Sequence, residues 1–203
     1  MATVEFFFDC SSPWTYLGFH RMVQLSAELH QPVTWRPFLV GGVFNTVNPS
    51  VYQSRQTPVP AKQAYMVKDL ADWARHYGLT IRWPQPVFPV NSVKAMRACF
   101  HAEEQGRLVP FARAVFEAYW GEMQDISQDA VVGEAATRAG LDPATTLAAA
   151  GSDAAKAKLR ANTEELIGRG GFGSPTIFVD RDDMYFGNDR LDLVAAAIRR
   201  ARA

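Results

Sequence analysis

Ser12-Pro13-Trp14-Thr15 separates an apolar, aromatic run from an apolar run with helical spacing. A strand that turns into a helix here leaves the helix N-terminus with unpaired N–H groups and about half a positive charge. Such an end favours an anion, and a thiolate is one: cysteines held there have pKa values lowered to about 3.5–7.5. The two positions that a Cys-x-x-Cys redox pair would fill carry hydroxyls, and the nearby Cys10 comes two residues early. Ser12 can still donate a hydrogen bond to a sulfur supplied by a ligand, with Thr15 as a second donor or a cap. Ser12 as a plain helix N-cap fits the same residues.

Two further stretches carry polar groups at turns. Gly173-Ser174-Pro175-Thr176 puts a proline at the head of a strand. A cis X–Pro bond costs only about 0.5–1 kcal/mol. In that form the preceding residue, Ser174, would present its N–H and C=O to a peptide-like ligand. A trans proline opening an edge strand is the other reading. Gly187-Asn188-Asp189-Arg190 closes a hairpin and starts a helix, so Asn188 or Asp189 caps it. The same turn suits an amino acid moiety, with backbone N–H groups for a carboxylate and Asp189 for an ammonium. Cys10 and Cys99 read as small core residues. His20, His30, His76 and His101 show no ligand spacing, so no metal site is expected. Trp14, Trp83, Phe88, Tyr119 and Trp120 are candidates for the wall of an aromatic-substrate pocket, although aromatics at helical spacing also serve as core.

These residues need a scaffold. Thr3–Phe8 reads as a buried strand, Trp14, Leu17, Val23 and Leu25 as a helix with Pro13 in its first turn, and Val33–Phe38 as a second strand. This βαβ unit favours a parallel pair. The chain changes character after Gly41-Gly42, and Asn45–Pro60 reads as a polar loop with three prolines. Met66, Leu70, Trp73, Ala74 and Tyr77 trace a helix that Gly78 stops. Helices are expected over Ser92–Gln105 and Val109–Met123, then from an N-cap at Ser127 to Gly140, from Asp142-Pro143, and from Ser152 to Ile167. Residues 175–179 and 184–186 form a hairpin, and Leu191, Val194, Ala195 and Ile198 an amphipathic helix. The expected architecture is α/β: a core of βαβ and ββα halves, residues 1–42 and 169–203, interrupted by an all-helical insertion, residues 43–168.

At 203 residues the chain is long enough to bury a sizeable core, and 48% hydrophobic with 21% charged residues is ordinary for a globular protein. Twenty-one basic and 21 acidic side chains cancel, which leaves no electrostatic footprint for nucleic acid or an anionic membrane. Two distant cysteines make no disulfide framework and point to a reducing compartment. Neither a signal peptide nor an 18-residue apolar span is read, so a cytoplasmic protein acting on small molecules is expected.

The segments FFFDCSSPWTYLG, GGVF ahead of Asn48, AYMVKDLADWARHYG, FPVNS, AYWGEMQDIS, GGFGSPTIFVD and FGNDRLDLV fall in order over nearly the whole chain. Together they resemble the glutathione-dependent branch of the DsbA-like thioredoxin-fold superfamily: 2-hydroxychromene-2-carboxylate isomerases and kappa-class glutathione transferases. The resemblance implies a thioredoxin-like core with a helical insertion, a homodimer, and glutathione as cofactor. It implies a cis-proline at Pro175 facing the Ser12 turn. The reactive serine of the family precedes the proline, which maps to Ser12 and not to Ser11. Backbone groups at Ser174 would hold the cysteinyl-glycine part of glutathione, and Asn188 and Asp189 the γ-glutamyl part. Asn48 and Lys62 match further ligand positions, though the stretch around Asn48 departs from the usual Gly-Asn-x-Pro-Pro pattern. The implied activity is isomerisation of an aromatic 2-oxo acid. A glutathione transferase, or a glutathione-binding module without turnover, is the alternative.

Overall fold

A computed structural model describes residues 2–202. The chain runs β1 (Val4–Phe8), α1 (Pro13–Glu28) and β2 (Thr34–Pro37), then through the helices α2 (Val40–Thr46), α3 (Ser50–Gln56), α4 (Pro60–Tyr77), α5 (Val93–Glu104) and α6 (Leu108–Phe116). A π-helical turn (Glu117–Gly121) leads to α7 (Asp129–Arg138), α8 (Pro143–Gly151) and α9 (Asp153–Gly168). The strands β3 (Thr176–Val179) and β4 (Asp183–Phe186), a short 3-10 turn (Asn188–Arg190) and α10 (Leu191–Arg200) complete it. The strands form one sheet in the order β2-β1-β3-β4. β1 is parallel to β2 and antiparallel to β3, and Phe7 lies opposite both Arg36 and Thr176.

β1 carries buried phenylalanines on both faces because both are covered, with the half-buried Glu5 beside Phe7 paired to Arg36 and Arg169. Val4, Phe6 and Phe8 share a cluster with Phe19 and Met22 of α1, Phe116 of α6 and Ile198 of α10. Phe7 points the other way, toward Phe38, Val43, Leu166 and Phe178. Phe6, Phe7 and Phe8 are all fully buried. Each contributes about 1.5–3 kcal/mol by leaving water, and between them they anchor the two larger core clusters. Among the described residues no helix is long and apolar enough to cross a membrane.

Several local expectations hold in detail. Pro13 opens α1, with Ser12 as its N-cap. Gly78 ends α4 in the left-handed conformation, φ +67°. Asp142 caps α8 and Ser152 caps α9 through their side chains. Others are corrected. Asn45–Pro60 is not an extended loop, since α2 enters it and α3 fills most of the rest. Its prolines delimit α3 instead of breaking it: Pro49 stands just before it and Pro58 and Pro60 just after. Gly41-Gly42 lies inside α2, where a Cβ on Gly42 would sit 3.1 Å from Thr163 Cγ2 of α9. The helix expected over Val109–Met123 changes winding at Glu117. Ser127 is not a cap. Its N–H donates to Asp125 Oδ1 in a turn, and the N-cap of α7 is Gln128.

One buried acid joins three of these elements. Asp9, at the end of β1, is fully buried. Its Oδ1 accepts from Ser11 N–H at 2.9 Å and its Oδ2 from Val40 N–H at 2.9 Å. Burial pushes its carboxyl above the ordinary aspartate value. The Ser11 and Val40 amides and the Ser92 hydroxyl pull the other way without offsetting it. A second close contact is steric: a Cβ on Gly18 of α1 would sit 3.0 Å from Pro175 Cγ and 3.6 Å from Asn188 Cα.

Two outcomes follow. Because the folded Asp9 binds its proton more tightly than the unfolded one, its stabilising contribution is complete below the ordinary aspartate pKa. That contribution is lost as pH rises through the raised value. Urea titrations of the wild-type and Asp9→Asn proteins should show the wild type losing stability relative to the variant above about pH 4, by at most about 1.4 kcal/mol per pH unit. A difference independent of pH, or one that grows in favour of the wild type, contradicts this. Gly→Ala within a helix usually gains up to about 1 kcal/mol. Gly18→Ala should forfeit that gain, and Gly18→Val should lose about 1–3 kcal/mol by overpacking against Pro175.

Candidate active site

The site is assembled from the C-terminal end of β1, the first turn of α1 and the residue that leads into β3. Ser12 adopts an extended conformation, φ −106° and ψ 125°, and its Oγ accepts from Thr15 N–H at 3.3 Å. Ser12 N–H itself donates to Asp9 O, and Tyr16 N–H to Ser12 O. Pro13 has no N–H, so Trp14 N–H is the first-turn donor that the helix leaves pointing outward. No acidic residue lies in the first turn of α1 to cancel the positive end of its dipole.

Facing this end is the Ser174–Pro175 bond, which is cis. Ser12 Oγ donates to Ser174 O at 3.3 Å. That is long for an O–H···O bond, whose usual distance is about 2.7–2.8 Å. An anion at the helix end would draw the proton away into a shorter, charge-assisted bond. Ser12 therefore caps the helix with its lone pair and keeps its proton on a weak, exchangeable acceptor. Thr15 is fully buried, and its Oγ1 donates to Ser174 Oγ at 2.7 Å, so it braces the turn from behind. Ser174 Oγ also accepts from Asp9 N–H at 3.1 Å.

The turn opens into a cavity of about 880 Å³. Of the residues singled out in the sequence, Ser12, Trp14, Asn48, Lys62, Trp83, Phe88 and Ser174 line it. Asn48 is tied to the wall, with Nδ2 donating to Phe172 O at 3.1 Å and Oδ1 accepting from Ser50 Oγ at 2.7 Å. Asn188 and Asp189 line a separate depression of about 440 Å³, together with Arg21, Gln24, Trp73 and Tyr77. The two hollows adjoin through the chain: Phe186 lines the first, Gly187 N–H donates to Pro175 O at 3.1 Å, and Asn188 follows. The Pro175 ring packs close to Gly18.

Trp120 is corrected from pocket wall to core. Its side chain is fully buried, with Nε1 donating to Cys10 O at 2.9 Å, and it stacks behind Trp83 at 6.4 Å between ring centroids. Tyr119 is likewise buried, and its hydroxyl donates to Val87 O at 2.8 Å. The π-helical turn carries both residues inward. Cys10 is fully buried, its N–H on Met96 Sδ at 3.3 Å, and burial pushes its thiol well up. It offers no nucleophile to the cavity.

Asp9, Phe44, Tyr52, Arg55, Phe172 and Phe186 line the cavity and were not singled out in the sequence. Asp9 had a signal: an acid closing a strand of three phenylalanines, directly before the turn, is too costly to bury without a role. Tyr52 and Arg55 lie in the stretch read as a loop, Phe44 just before it, and Phe172 and Phe186 at the edges of the hairpin, where no periodicity marks them.

Residues 3–199 match the model of the DSBA-like thioredoxin domain. Glutathione S-transferase kappa 2 of Caenorhabditis elegans is 29% identical over 95% of this chain and 89% of its own length. A 2-hydroxychromene-2-carboxylate isomerase of Pseudomonas putida is 27% identical over 97% of this chain and 94% of its own. The solved structure of a 2-hydroxychromene-2-carboxylate isomerase superposes with a TM-score of 0.82 at 25% identity, covering 98% of this chain and 95% of that one. The expected core of βαβ and ββα halves with helices between them is the fold those comparisons describe. By sequence and by fold, the chain belongs to the DSBA-like thioredoxin domain family.

Proposed function

We propose that this protein is a glutathione-dependent isomerase of an aromatic 2-oxo acid. The observation that carries the reading is the Ser12 hydroxyl, held at the open N-terminus of α1 beside the cis Ser174–Pro175 bond. It is an anion-stabilising site without a thiol of its own, at the head of a cavity with aromatic walls. The relatives named 2-hydroxychromene-2-carboxylate isomerase support the reaction class.

The residues present suit glutathione. Ser12 Oγ–H and Trp14 N–H are donors for its sulfur, and the Ser174 backbone for its peptide groups. Asn188 is buried, yet its Nδ2 has no hydrogen-bond partner among the described residues. An amide donor left unpaired costs about 1–3 kcal/mol, and the γ-glutamyl carboxylate is a partner of the right chemistry. Asp189, next in the chain, suits the ammonium, and Asn48 and Lys62 are further candidates in the lining of the main cavity. Bound glutathione supplies a nucleophilic sulfur whose reversible addition to a conjugated double bond lets that bond rotate. The chain's part is to keep the thiol ionised, to hold the substrate ring against Trp14, Trp83 and Phe88, and to limit water at the reacting carbon.

The relatives named kappa-class glutathione transferase favour a second reading, in which the sulfur adduct is released as product. Following a chromene carboxylate spectroscopically separates the two. Turnover with catalytic glutathione fits an isomerase, and stoichiometric consumption fits a transferase.

Calorimetry with millimolar glutathione should give saturable binding to the wild-type protein. Absence of any heat or thermal stabilisation overturns both readings. In Ser12→Ala, the pKa of the bound thiol, followed by thiolate absorbance, should rise by about 1–2 units for the loss of one hydrogen bond to a charged group. An unchanged titration leaves Ser12 as a helix cap alone.

A further inference from the structure

The cavity contains a cation for which the glutathione site has no use. Arg55 lies in the last turn of α3 and lines the cavity. Its guanidinium carbon stands 5.2 Å from the centroid of Phe88, 5.9 Å from Phe44 and 5.9 Å from Tyr52. No carboxylate pairs with it among the described residues. The acid of the cavity lining is Asp9, and both of its oxygens are engaged by backbone N–H groups. The lining thus holds two cations, Arg55 and Lys62, and no free carboxylate.

Arg55 is exposed to solvent, and its aromatic neighbours leave its N–H donors open to a ligand. A ring meets the guanidinium by its π-face, whereas the N–H donors lie in the guanidinium plane and seek oxygen acceptors there. A carboxylate takes two of those donors side by side, a geometry a lysine does not reproduce. The surrounding surface selects what that carboxylate is attached to. Phe88 and Trp83 meet edge to face at 4.9 Å, and Phe172 and Phe186, which also line the cavity, pack against each other tilted at 45° with centroids 4.5 Å apart, so the walls suit a planar ring.

We propose that Arg55 is the specificity-determining residue for the second substrate, binding the carboxylate of a planar aromatic acid whose ring lies among these side chains. The proposal rests on the glutathione-enzyme reading for the role of that ligand, though its binding is measurable without glutathione. α3 buries none of its residues, so the position can be changed without disturbing the core.

The test uses 2-naphthoate and its neutral isostere 2-naphthamide as probes. Binding is read from quenching of Trp14 and Trp83 and checked by calorimetry, with glutathione titrated in parallel. The wild-type protein should prefer the carboxylate. Arg55→Leu should lose that preference, weakening naphthoate roughly ten- to hundredfold, the value of a hydrogen-bonded charge pair. Naphthamide and glutathione affinities should not move, which also reports that the variant is folded. Arg55→Lys should recover only part of the loss. The proposal is overturned by equal wild-type affinity for the two probes, or by no naphthoate binding. It is overturned as well if Arg55→Leu leaves naphthoate unchanged or weakens glutathione instead, which would place Arg55 in the glutathione site. Selective naphthoate binding by a protein that ignores glutathione would sink the glutathione reading and leave this one standing.

Discussion

Three hydrogen bonds that meet at Ser174 hold the end of β1, the start of α1 and the entry to β3 in one place. Asp9 N–H and Thr15 Oγ1–H both point at its hydroxyl, and Ser12 Oγ–H at its carbonyl. These partners are 159 to 165 residues away in the chain, so the bonds join the two halves of the sheet across all the helices between them. Each bond contributes only about 0.5–1.5 kcal/mol net. Their importance is geometric. They fix the helix end against a backbone carbonyl, which is what makes the Ser12 proton available to something that binds better.

The carboxylate of Asp9 does complementary work on the other side of the turn. It ties Ser11 to Val40, and so fixes where α2 begins and where the cavity wall rises from the sheet. Asp9, Ser12 and Ser174 thus gather where the turn meets the cavity, and aromatic rings share the rest of the lining with aliphatic and polar side chains. Behind that lining stands a second aromatic layer, Tyr119 and Trp120, held by hydrogen bonds to Val87 O and Cys10 O. Of the outer rings, Trp83 and Phe88 pack on Trp120, which never meets solvent.

Much of the core was legible in the sequence because its signals are local. An unbroken apolar run marks β1, proline and serine mark the start of α1, and a glycine in the left-handed conformation ends α4. The meeting of Ser12 with Ser174 has no local signature, and only the resemblance suggested it. α3 was missed because a helix that buries none of its residues shows no apolar stripe, and Arg55 was hidden with it. Trp83 and Trp120 look alike in sequence, yet a change of helical winding at Glu117 turns Trp120 into the core. Asn188 and Asp189 lie in the turn before α10, but neither caps it as expected: its N-cap is Arg190, without a side-chain hydrogen bond, and the pair lines a hollow next to the main cavity.

Both cysteines are fully buried, and burial raises both thiols above their ordinary range. An enzyme that keeps a catalytic cysteine carries its most vulnerable atom permanently, and overoxidation of that sulfur ends the molecule's working life. On the glutathione reading, this chain has moved the hazard off the polypeptide. The sulfur exposed to electrophiles and peroxides belongs to a diffusible tripeptide, and a spoiled copy leaves by dissociation. The protein would then be renewed by exchange with the surrounding thiol pool, at a rate set by ligand release and not by protein turnover.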